Sequence, residues 1–87
     1  MPTVASKAPR KHIQLDDEAL SPGTERTLAI FELLGRHPEG RNISEIAREL
    51  DLPVNSVFRI TNTLLKRGYV GRNESSKRYI LSSRLFE

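Results

Sequence analysis

Eighty-seven residues leave room for one small domain, and a chain this short buries too little surface to enclose a large active site. With no cysteine there is no disulfide and no thiolate metal ligand, and no apolar run approaches the ~20 residues that span a bilayer. The net charge of +3 is unevenly spread: residues 15–53 hold nine acidic and four basic side chains, whereas residues 54–84 hold seven basic and one acidic.

Basic charge gathered in one half is the electrostatic footprint of an anionic partner, set against the plain alternative of chance on a solvated surface. The first twenty residues contain no apolar core of the kind a signal peptide needs. The expectation is a soluble cytoplasmic protein with no membrane partner.

Residues 1–22 mix Pro, Ser, Ala and charge without periodicity and read as a flexible tail. Its basic cluster, Lys7, Arg10 and Lys11, either touches nucleic-acid phosphates or minor groove, or is simply solvated. The run Asp16, Asp17, Glu18 reads as solvated rather than as a metal site.

A domain is expected over residues 23–82. Its first helix spans about 24–36, where Thr27, Ile30, Phe31 and Leu34 recur at i, i+3, i+4 and i+7, flanked by Leu28 and Leu33. His37, Pro38, Glu39 and Gly40 end it, because the residue before a proline avoids the helical region and glycine turns freely. The second helix spans about 43–50. Asn42 and Glu45 stand three apart in a capping-box arrangement, and Ile43, Ile46, Ala47 and Leu50 form its stripe.

Asp51, Leu52 and Pro53 make a turn, with Pro53 where a missing N–H costs nothing. The third helix spans about 54–67, with Val57, Ile60 and Leu64 inward. Gly68 closes it, and Lys66 and Arg67 complement the negative end of its dipole. Two β-like stretches then flank a turn at Asn73, Glu74, Ser75 and Ser76, giving a hairpin over about 69–81 with Tyr79 and Leu81 on one face. Residues 83–87 begin another helix. A chain that stops there is expected to be a piece of a longer protein.

Two amphipathic helices joined by a short turn are a helix-turn-helix, and the hairpin makes it winged. The expected fold is mainly α with a small β-hairpin: a winged helix-turn-helix, with a three-helix core plus wing. Its chemistry fits a reader of double-stranded DNA. The third helix carries Asn55, Ser56, Phe58, Arg59, Asn62 and Thr63 between its apolar positions. Phe58 apart, these are groups for directional hydrogen bonds, not the Glu and Lys of an ordinary solvated helix. A helix fits the major groove; Arg bonds guanine and Asn bonds adenine bidentately.

Arg59 is either a base reader or a phosphate contact. Phe58 either packs on a thymine methyl or plugs the edge of the core. Asn62 and Thr63 either touch DNA or are solvated. Lys66 and the wing residues Arg72, Lys77 and Arg78 would supply salt-dependent affinity on the backbone or in the minor groove. Asn42 and Ser44 would place amides of the second helix against a phosphate. The competing reading is a winged-helix protein-protein interaction module without DNA binding. No catalytic residue, cofactor or metal site is expected: His12 and His37 stand apart, with no second ligand at metal spacing.

The segments ERTLAIFELL, ISEIARELDLP, SVFRITNTLLKRGYV and KRYILSSRLFE carry a resemblance. Residues 24–87 resemble the N-terminal DNA-binding domain of IclR-type bacterial transcription regulators, most specifically in SVFR and in RGYV followed by a short turn and RYIL. The resemblance implies a repressor or activator that binds a palindromic operator as a homodimer or as a dimer of dimers. It also implies a C-terminal domain for a small-molecule effector, joined by a linker helix that Leu85 and Phe86 begin. By position, Asn55, Ser56 and Arg59 match base-facing positions, and Arg72 and Arg78 match the wing. Three departures stand out. Asp51 replaces a usual turn glycine. Thr61 replaces a frequent Leu, which would loosen the packing of the third helix. Val54 replaces a small polar or basic residue, which would remove one phosphate contact.

Overall fold

The computed structural model describes residues 19–86. The Lys7, Arg10 and Lys11 cluster, His12 and the Asp16, Asp17, Glu18 run lie outside them. Helix α1 is Pro22–Arg36, α2 is Ile43–Leu50 and α3 is Val54–Lys66. Strands β1 (Val70–Asn73) and β2 (Arg78–Leu81) follow, and a 3-10 turn, Ser83–Phe86, closes the described chain.

Helix α1 starts two residues before the periodicity predicts. Ser21 caps it, its Oγ accepting from the Thr24 amide at 3.3 Å, and Pro22 occupies the first helical position. A proline is pre-set for that position, and a serine before it satisfies an orphan amide. Apolar periodicity is blind to both, because neither residue packs. Helix α1 thus takes in Pro22, which the sequence reading leaves in the tail.

The inner face of α1 is Ile30, Leu33 and Leu34, while Leu28 stays exposed. Helix α2 has the capping box its sequence announces: Glu45 N–H donates to Asn42 Oδ1 at 2.8 Å, and Asn42 N–H to Glu45 Oε1 at 2.9 Å. It stops at Asp51, which takes the left-handed conformation (φ 56°), and the Leu52 amide then donates to the Ala47 carbonyl at 2.9 Å. Helix α3 ends the same way. Gly68 is left-handed (φ 86°), and the Tyr69 amide donates to the Leu64 carbonyl at 2.8 Å. Both stops have the six-to-one bond of a Schellman turn.

Val57, Ile46, Ile30 and Leu34 are among the most deeply buried side chains, with Leu33, Ala47, Leu64, Val70 and Tyr79 around them. Each large aliphatic side chain so buried contributes roughly 1.5–3 kcal/mol. Thr61 joins them at 0% exposure. Its hydroxyl donates to the Val57 carbonyl at 2.8 Å, so the polar atom is satisfied inside the helix, and the methyl packs where Leu is frequent in the family it resembles.

The hairpin is antiparallel, with Val70 opposite Leu81, Gly71 opposite Ile80, Arg72 opposite Tyr79 and Asn73 opposite Arg78. Asn73 Oδ1 shapes its turn by accepting from the Ser75 and Ser76 amides, both at 2.9 Å. The free edge of β2 is covered by one residue. Arg41 and Tyr79 exchange backbone hydrogen bonds of 3.1 and 2.9 Å, which ties the α1–α2 loop to the wing. Beside this bridge Gly40 is left-handed (φ 88°), and a Cβ on it would stand 2.8 Å from the Tyr79 carbonyl. Only glycine fits there.

Candidate nucleic-acid interface

Helix α3 is pinned from behind by Val57, Thr61 and Leu64. Asn55, Arg59, Asn62 and Lys66 stand at i, i+4, i+7 and i+11, on the opposite side. Asn55, Arg59 and Lys66 are exposed, and Asn62 is half-buried. Phe58 is 51% exposed and Val54 54%, so Phe58 does not plug the core. Thr63 is exposed, its hydroxyl donating back to the Arg59 carbonyl at 2.8 Å. Ser56 is half-buried at the edge facing α1, where Arg26 Nη1 donates to its Oγ at 3.0 Å.

Seven of the candidate residues line two hollows, whereas Asn55, Phe58, Asn62, Lys66 and Arg78 line neither. One runs between the start of α1 and α3 and is lined by Arg26, Thr24, Ser56, Arg59 and Thr63 among others. The other lies between the start of α2 and the wing, where Asn42, Ser44, Arg72, Ser76 and Lys77 meet over Tyr79. Residues from three separate elements thus converge there. The Asn42 side chain is already committed to capping α2, whereas Ser44 is exposed.

The wing cations differ in their freedom. Lys77 sits in the turn (φ 63°), exposed, 3.7 Å from Glu74. Arg72 faces inward beside Val70. Its guanidinium lies 5.8 Å from the Tyr79 ring centroid, Nη1 is 3.7 Å from Glu74, and its buried Nε has no hydrogen-bond partner among the described residues. The period-two alternation of a strand already places Arg72 on the face of Val70. Arg78 is the most engaged. It donates to the Gly40 carbonyl at 2.7 Å and to the Glu45 carboxylate at 3.4 Å. Glu45 accepts the Asn42 amide and faces Arg78, which together hold its carboxyl below the usual glutamate range.

Two arginines escape a reading of the sequence alone. Arg26 stands four before Ile30 and seven before Leu33, so it continues the buried stripe of α1, and that position marks an Arg reaching across an edge of the core. Arg41 gathers Glu49 (2.9 Å), Glu39 (3.0 Å) and His37 (2.9 Å), a cluster that holds the α1–α2 loop.

Three helices, the last two joined by a tight turn, with a basic antiparallel hairpin behind the third, define the winged helix-turn-helix class. The chain belongs to the IclR helix-turn-helix domain family, whose model matches residues 23–74. Solved structures are similar to it, two of which follow. One is a transcriptional regulator from Alicyclobacillus acidocaldarius, at 27% identity and a TM-score of 0.71 over 76% of this chain. The other is an IclR family transcriptional regulator from Brucella abortus, at 26% identity and a TM-score of 0.72 over 80% of this chain. The chain spans 27% and 26% of the lengths of those two proteins. No curated protein matches it. Among the described residues no helix is long and apolar enough to cross a membrane, and no group of three or more potential metal ligands occurs.

Proposed function

We propose that the chain is the DNA-binding part of a transcription regulator, and that α3 enters the major groove of a specific duplex. The observation that carries this is the division of α3: Val57, Thr61 and Leu64 are locked into the core, while Asn55, Arg59 and Lys66 stand exposed on the opposite side. A rigid helix presenting Asn and Arg near its first turns has the donors that match adenine and guanine edges. Lys66, Lys77 and Arg72 supply the attraction to phosphates, through the backbone or the minor groove. The exposed Phe58 packs on a thymine methyl in this reading. Both similar structures are transcriptional regulators, and the family match covers all of α3.

Two copies of the domain reading half-sites of an inverted repeat follow from the usual symmetry of such readers. The test is enrichment of randomised duplexes on the purified chain at two salt concentrations. An enriched inverted repeat whose binding weakens steeply with salt supports the proposal. No enrichment and little affinity even at low salt would sink it, and would turn attention to Val54 and Phe58 as an apolar strip for a protein partner.

A further inference from the structure

We infer that Arg26 occupies one lone pair of the Ser56 hydroxyl and so turns its hydrogen toward DNA, where Ser56 acts as a hydrogen-bond donor to an acceptor atom. The inference rests on the DNA-binding reading above and adds a positioning residue to it. Arg26 Nη1 donates to Ser56 Oγ at 3.0 Å, across the boundary between α1 and α3. A guanidinium has only donors, and a hydroxyl has one hydrogen and two lone pairs. Ser56 therefore accepts from Arg26, and its own hydrogen must point elsewhere.

Helical hydroxyls beyond the first turn dispose of that hydrogen internally. Thr27, Thr61 and Thr63 each donate to the carbonyl four residues back, at 2.8 Å. Ser56 is the third residue of α3, so the residue four back, Leu52, lies in the turn before the helix. Among the described residues Ser56 donates to nothing. Its hydroxyl lines the open hollow beside Arg59 and Thr63.

A lone serine reads ambiguously, since its hydroxyl donates or accepts with equal ease. Arg26 biases that choice: with one lone pair taken, the Ser56 hydrogen is directed to an acceptor, a phosphate oxygen or the N7, O6 or O4 edges of purines and thymine.

The experiment uses the duplex enriched by the wild-type chain and compares Ser56→Ala, Arg26→Met, the double variant and Arg26→Lys, each with its melting temperature. Lysine, like arginine, only donates. Ser56→Ala and Arg26→Met are each expected to weaken binding roughly three- to tenfold. The double variant is expected to bind no worse than either, and Arg26→Lys to bind nearly like wild type. If Ser56→Ala flattens the preference at one base pair, the acceptor is a base edge. If it weakens all sequences alike, and a single methylphosphonate removes the difference from wild type, the acceptor is a phosphate.

Losses that multiply in the double variant, or a Ser56→Ala chain that binds like wild type, overturn the inference while leaving the DNA-binding reading intact. If Arg26→Met fails to fold, Ser56→Ala and Arg26→Lys decide alone: an unchanged Ser56→Ala or a weakened, folded Arg26→Lys overturns it. A wild-type chain that binds no duplex overturns both.

Discussion

The guanidinium of Arg78, on the wing, donates to the carboxylate of Glu45, in the first turn of α2, at 3.4 Å. The same carboxylate accepts the Asn42 amide at 2.9 Å, so one glutamate both caps the helix and holds the wing. The Asn42 amide, then Arg78 and its neighbouring arginines, lower the Glu45 pKa below 4.5. A lowered folded-state pKa contributes stability that is present above the unfolded value and is lost as pH falls through the folded one. Glu45→Gln, which keeps the cap acceptor but not the charge, is expected to melt lower than wild type at pH 7. The gap should close as pH falls below 4.5. A gap that persists at acid pH would mean that the charge plays no part.

Gly40 and Gly23 respond in opposite directions to the same substitution. At Gly40 a Cβ meets the Tyr79 carbonyl at 2.8 Å and Ile80 Cγ2 at 2.9 Å, at φ 88°. Gly40→Ala is expected to cost about 2 kcal/mol or more, from left-handed strain plus displacement of the bridge between Arg41 and Tyr79. At Gly23 nothing lies within 4 Å of the added carbon, and the residue is helical. Gly23→Ala is expected to stabilise by roughly 0.5–1 kcal/mol. Urea unfolding of both variants measures the contrast.

Thr61 tests whether a buried hydroxyl loosens α3. With its oxygen satisfied by the Val57 carbonyl at 2.8 Å and its methyl fully buried, Thr61→Val is expected to lie within about 1 kcal/mol of wild type. Thr61→Ser, which leaves a methyl-sized void, is expected to cost about 1 kcal/mol. Equilibrium unfolding reads both, and a serine variant as stable as wild type would show the site to be slack.

Arg59, Lys77 and Arg78 separate reading from gripping. Arg59→Ala is expected to weaken the preferred site by ~1–3 kcal/mol and to relax specificity at one position. Equal loss on all sequences would make Arg59 a phosphate contact. Lys77→Ala is expected to lower the salt slope by about 1 without moving the melting temperature, because its side chain is 60% exposed and its ion pair with Glu74 is loose. Arg78→Ala should lower the melting temperature as well, since it also removes the 2.7 Å bond to the Gly40 carbonyl. Titration of labelled duplex at several salt concentrations distinguishes the three.

The stops, caps and faces of this fold are legible in the chain because the forces behind them are local. Asn42 and Glu45 find each other within one turn, Gly68 ends α3 by a backbone conformation, and Val57 and Leu64 share a face by periodicity alone. Asp51 likewise takes the left-handed position where glycine is usual, at φ 56°. What the chain does not disclose is which polar side chains are already used. Arg26 and Ser56 are 30 residues apart, and Arg78 and Gly40 are 38 apart. No local rule brings such pairs together. They meet because apolar burial decides how α1 crosses α3 and where the wing lies on α2, and a hydrogen bond forms wherever that packing leaves a donor beside an acceptor. The sequence by itself determined the three helices, the hairpin and the polar face of α3. Only the tertiary structure decided that Arg78 bonds the Gly40 carbonyl and Glu45, and that Ser56 accepts from Arg26.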